Sequence, residues 1–74
     1  MSIELRFDKA LYRRDAIEQA IAAFARHADC VLEDGGQVWR VRVEARRPER
    51  ERAIAGELGN WALGATIRAG GVRS

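Results

Sequence analysis

The chain is poor in the residues on which most protein chemistry depends. It has one cysteine (Cys30), one histidine (His27), one proline (Pro48) and one lysine (Lys9). A single cysteine excludes an intrachain disulfide and fits a reducing cytosol. His27 and Cys30 stand three apart, but a zinc site needs three or four ligands, commonly in paired motifs. They read instead as a helix-end residue and a small buried hydrophobe. The hydroxyl nucleophiles are Ser2, Thr66 and Ser74. Two of these are terminal and one falls within a predicted helix, so only Cys30 stands near a base, and strand alternation turns it toward the core. No apolar run approaches the roughly 18 residues of a membrane span. The N-terminus lacks a basic region followed by an apolar stretch, so no signal peptide is expected. Gly35-Gly36 follows a strand but opens a hairpin, not a helix, which is not phosphate-loop logic. A CxxxCxxC cluster motif, an internal repeat and a linker are all missing. The expectation is a cytoplasmic, non-enzymatic protein with no cofactor, metal site or membrane segment.

What is present is ordinary globular material. Of 74 residues, 47% are hydrophobic and 32% charged, which suits one folded domain rather than a disordered chain. A core of that size is marginal, so docking to a partner or forming a homodimer would help stability. The net charge is only +2, yet arginine supplies all thirteen basic residues but Lys9. GC-rich codons explain such a bias. So would selection for anion-binding forks, since arginine suits phosphate and carboxylate better than lysine does.

Periodicity divides the chain. Ile3, Leu5 and Phe7 alternate with Ser2, Glu4 and Arg6, which predicts a strand with one buried face. From Arg13 the apolar residues Ile17, Ala20, Ile21, Phe24 and Ala28 form a helical stripe. Asp15 falls in its first turn and Arg26 and His27 in its last, complementing the dipole. Tyr12 stands before the helix as a hydrophobic staple. Cys30 to Glu33 reads as a second strand, Asp34 to Gln37 as a hairpin turn, and Val38 to Ala45 as a third strand. There Trp39, Val41 and Val43 alternate with Arg40, Arg42 and Glu44. Pro48 suits the first position of a second helix, with Glu49 and Glu51 in its first turn. Ile54, Leu58, Trp61 and Ala65 make that helix's apolar stripe.

The predicted fold is α+β, β-α-β-β-α, a three-stranded antiparallel sheet with two helices on one face. Residues 1–69 form the domain and 70–74 a fraying tail. A right-handed crossover places the third strand between the first two, a truncated ferredoxin-like layout. The first strand is then left on an open edge, which invites pairing with another chain.

Three features bear on partners. Gly56, Gly59 and Gly64 weaken the second helix by roughly 1 kcal/mol each relative to alanine. They point to a close backbone approach or a partner surface. Asn60, beside Gly59, either lies exposed or caps or brackets a strand backbone or a partner backbone. The open sheet face carries Arg6, Arg40 and Arg42, and the Arg40–Arg52 stretch continues with Arg46, Arg47 and Arg50. An RNA-reading sheet would display aromatics to stack bases. Here Trp39 belongs to the core face, and Glu4, Glu33 and Glu44 dilute the positive field. Nucleic-acid binding is therefore the alternative to a protein or peptide partner. Both tryptophans read as core, and Glu44, Glu49, Glu51 and Glu57 as ion-pair partners on a solvated surface.

Some residues carry a resemblance. Tyr12, a helix with Ala16-Ile17 and Ala20 to Phe24, a hairpin, and a second helix bearing Glu57, Leu58, Asn60, Leu63, Ile67 and Arg68 resemble the His-Xaa-Ser system protein HxsD family over roughly residues 3–68. The departures are Arg13, where a serine cap is expected, and Gly59 and Gly64, where larger residues are. The resemblance implies a small accessory protein, encoded with radical-SAM maturases and a His-Xaa-Ser repeat peptide and serving a peptide-modification system. Joined to the open edge, it suggests partner contacts through Ile3, Leu5, Arg6, Phe7, Arg40, Arg42, Asn60 and Arg68, with the arginines orienting an acidic partner.

Overall fold

A computed structural model describes residues 2–68 and Gly70. The frayed tail expected over 70–74 falls, apart from Gly70, outside the described residues. The elements run β1 (Ile3–Asp8), α1 (Arg14–Ala23), β2 (Ala28–Asp34), β3 (Val38–Ala45), a 3-10 turn (Pro48–Arg50) and α2 (Glu51–Arg68). The sheet order is β1-β3-β2, and both ladders are antiparallel. This is the anticipated β-α-β-β-α arrangement, a ferredoxin-like layout with no fourth strand among the described residues.

Strand alternation assigns the two faces. Phe7, Val41 and Val43 are buried, as are Ala28 and Ala45, while Glu4, Arg6, Arg42 and Glu44 are exposed. Ile17 of α1 and Leu58 of α2 are completely enclosed and complete the cluster on that face. α2 lies against β1 and β3, whereas α1 packs chiefly on α2. The core face of β2 is therefore less covered, and Cys30 and Leu32 stay half-buried.

Several expectations need correction. α1 ends at Ala23, not at Ala28. Phe24 to His27 form a turn, held by the His27 and Ala28 amides donating to the Phe24 carbonyl at 2.9 and 3.0 Å. Ala28 is instead the first residue of β2, paired with Ala45. It mimics a helical stripe because small buried residues serve either period equally well. Arg26 and His27 therefore lie beyond the helix. Trp39 and Trp61 sit at the core margin, half-buried, and Ala62 takes the enclosed place on α2. Lys9 Nζ lies 4.2 Å and Arg14 Cζ 5.5 Å from the Trp39 ring centre, so cations cover its open side. Tyr12 packs edge-on against Phe7 of β1, with ring centres 4.8 Å apart.

Glu51 is not on a solvated surface. It is 6% exposed, and its Oε2 accepts the Ala45 amide at 3.2 Å. Thr66, also buried, accepts the Arg13 amide through Oγ1 at 3.4 Å. Two buried polar side chains of α2 thus anchor the end of β3 and the start of α1. Arg13 itself offers α1 no side-chain cap.

The glycines divide by role. A Cβ on Gly35 would lie 3.0 Å from Arg40 Nε and 3.1 Å from the Val38 carbonyl oxygen, so the hairpin would have to give by a few tenths of an ångström to admit one. Gly36 has φ +91°, a conformation that side chains disfavour, and its amide donates to Asp34 Oδ1 at 2.9 Å. Gly56 and Gly59, by contrast, have nothing within 4 Å of a notional Cβ, and Gly64 meets only the Arg68 side chain at 3.3 Å. The close backbone approach expected within the domain at these helical glycines does not occur.

Two stability outcomes follow from these contacts. Gly59→Ala should stabilise the fold by about 0.5–1 kcal/mol, whereas Gly35→Ala should destabilise it, both read by urea unfolding. Glu51→Ala strands the buried Ala45 amide and should cost about 1–3 kcal/mol in the same assay. An unchanged midpoint would remove Glu51 from the scaffold.

Candidate partner-binding site

The expected contact residues separate into surfaces rather than one site. Ile3, Leu5 and Phe7 are consecutive core-facing residues of β1, paired with Val43, Val41 and Trp39. Phe7 is 4% exposed and Ile3 and Leu5 are half-buried, so this strand offers a partner its main chain more than these side chains. Its ladder to β3 is unbroken from Ile3 to Asp8, and its other edge has no neighbour among the described residues.

Arg6, Arg40 and Arg42 share the open sheet face, but each stands beside an acid. Arg6 Nε bonds Glu4 Oε2 at 3.1 Å. Arg42 lies across from Glu4 on one side and Val31 on the other, and Arg40 across from Arg6 and Glu33. Arg40 is half-buried over the hairpin, and its Nε has no hydrogen-bond partner among the described residues. With Asp29 and Glu44 also paired on it, the face is of mixed sign. Exposed pairs of this kind contribute little to stability. Their alternation leaves no single-sign field on the face. Val31, 51% exposed, is the apolar patch between them.

Asn60 and Arg68 lie on α2, on the other layer. Asn60 is exposed on the outward side of the helix with Gly56, Leu63 and Ile67, and Ile67 is 65% exposed. Arg68 Cζ rests 5.7 Å from the Trp61 ring centre. Among the described residues Asn60 brackets no backbone. These two residues and the three sheet-face arginines cannot touch one compact ligand, because the sheet and the helix layer separate them.

A further group was legible only in part. Arg46, Arg47 and Arg50 follow β3 in sequence. The fold brings Arg26 and His27 of the α1–β2 turn beside them, around a cleft of about 490 Å³. Arg46 Nη2 donates to the Ala25 carbonyl at 3.2 Å and contacts Asp29 Oδ1 at 3.4 Å, tying the two segments together. Arg26 carried no signal of this in the sequence, since it reads as a helix-end cation.

Cys30 has no activating surroundings. Burial, and secondarily the negative charge of Asp29, push its thiol above the ordinary cysteine value. Among the described residues there is no group of three or more histidine, cysteine or acidic side chains arranged to hold a metal ion, and no helix long and apolar enough to cross a membrane.

The class defined by these observations is a small α+β domain of truncated ferredoxin-like layout with an open edge strand. No protein-family model, curated protein or solved structure matches the chain.

Cys30 should react with iodoacetamide at pH 8 more slowly in the folded chain than in urea, because a raised pKa leaves less thiolate at that pH. The gap should narrow as pH rises through the folded value. Faster reaction in the folded chain would reveal an activated nucleophile.

Proposed function

We propose that this chain is a small non-enzymatic accessory protein that takes up an extended peptide or protein segment along β1. Its setting is a peptide-modification system of the kind that the likeness to the His-Xaa-Ser system protein HxsD family implies. The observation that carries the reading is the outer edge of β1, six residues with no described neighbour. An edge strand presents unpaired amides and carbonyls, and a partner strand satisfies them through main-chain hydrogen bonds. β1 has no proline, no lysine and no bulge in its ladder, so of the usual devices against such pairing it carries only the charges of Glu4, Arg6 and Asp8.

In a complete ferredoxin-like sheet a fourth strand lies beside β1, so a visiting strand there extends the existing layer without disturbing the core. Glu4 and Arg6 flank the edge with both charges, which orients the visitor and fixes its register. The protein works in the cytoplasm, where its single thiol stays reduced.

Hydrogen exchange by NMR tests the reading with a synthetic His-Xaa-Ser repeat peptide as the added strand. Amides of β1 alternate in direction. Those pointing away from β3 should gain protection on adding the peptide, while the β1–β3 amides stay as they were. Protection confined to α2 or to the sheet face, or none at all, would sink the proposal. Light scattering across a concentration series separates peptide capture from self-pairing of two copies along the same edge.

A further inference from the structure

We propose that the cleft beneath the end of β3 binds a phosphate-bearing small molecule of mononucleotide size, with its phosphate on the arginine rim and its apolar body on Phe24 and Ile54. The site is independent of the β1 edge.

Four guanidinium groups, from Arg26, Arg46, Arg47 and Arg50, line the cleft, with Glu57 the one acid among its lining residues. Codon bias alone would account for these cations being arginines rather than lysines. It does not explain why four of them, from two distant segments, converge on one concavity. Like charges gathered around a cleft repel one another, and an anion relieves that repulsion.

The rim has cationic capacity to spare. Arg46 is engaged with Asp29 and the Ala25 carbonyl. Arg26, Arg47 and Arg50 have no carboxylate partner among the described residues. Each guanidinium fork matches two oxygens of one anion. Two or three forks are better matched by phosphate, with three terminal oxygens, than by a carboxylate, with two.

The inner wall is apolar. Ile54 is a core residue and Phe24 packs against the core, so both are held in place by the fold. A flat or apolar body laid on them loses water-exposed surface on both sides. The volume of about 490 Å³ lies in the range of small-molecule sites and is large for a bare inorganic anion. Arg46, fixed across the α1–β2 turn, keeps the opposing walls together before any ligand arrives.

Isothermal titration calorimetry with AMP and ATP, and with adenosine as the uncharged control, tests the proposal on the whole chain. The nucleotides should bind with one-to-one stoichiometry and adenosine far more weakly. The double variant Arg47→Ala/Arg50→Ala should lose at least about tenfold in affinity, and its unfolding midpoint should hold because both residues are exposed. The matched double variant Arg6→Ala/Arg42→Ala removes the same charge from the sheet face and should bind as the parent does. Glu57→Gln should strengthen binding. No heat of binding from either nucleotide at about 5 mM would overturn the site. So would equal losses in the two double variants, which would mean general surface charge. Affinity for oligonucleotides that climbs with length, with shifts in NMR spectra spreading beyond the cleft, would replace the site with a nucleic-acid track.

Discussion

Everything in this fold hangs from β3. It is the strand paired on both sides, to β1 along Val38–Val43 and to β2 along Trp39–Ala45. Its alternation places Val41 and Val43 at zero exposure beneath the helices and Arg40, Arg42 and Glu44 on the other side. With β3 held in place, a slip of one residue would turn Glu4 and Arg6 of β1, or Asp29 and Glu33 of β2, into a small core, which burial forbids. The register of both outer strands follows from that one constraint.

α2 converts the sheet into a domain. It supplies Ile54, Leu58 and Ala62 to the cluster, and it is held near both ends by main-chain amides donated to Glu51 and Thr66. Burying a carboxylate is costly without a partner, and here the Ala45 amide at the end of β3 provides one. The contact ties the last residue of the central strand to the first turn of the helix that covers it. α1 depends on α2 more than on the sheet, and β2 is left with its core face half covered. A small core with alanines at Ala20, Ala28, Ala45 and Ala62 allows close packing but limits how much apolar area is buried.

The polar surface divides functionally along the same lines. The open sheet face interleaves arginine with acid, so its field cancels locally. The end of the domain below β3 does not, because the turn after α1 and the segment after β3 both bring arginine there while most acids face elsewhere. The open edge of β1 and the arginine-lined cleft are thus separate consequences of one topology. Neither requires the reactive groups that the chain lacks.

Sequence alone was enough for the centres of all three strands, the limits of β3, the element order and the central place of β3, because period-two alternation and turn residues are local signals; β2 runs two residues earlier and one later than Cys30 to Glu33. It also indicated that β1 would be an edge, since handedness rules leave few topologies for β-α-β-β-α. Other features depend on contacts between residues far apart in the chain. Ala28 fits either a helical stripe or a strand until Ala45 pairs with it. Glu51 looks like any exposed glutamate until the Ala45 amide arrives beside it. Trp39 and Trp61 are large enough for a core, but Ala62 and the cations over Trp39 decide that they remain at its margin. The helical glycines suggest a close neighbour, and only the packed domain shows that none is there. Arg26 joins Arg46, Arg47 and Arg50 only because α1 ends one turn early and returns the chain beneath β3. Local periodicity sets which residues turn inward, but which distant residues meet is decided by packing.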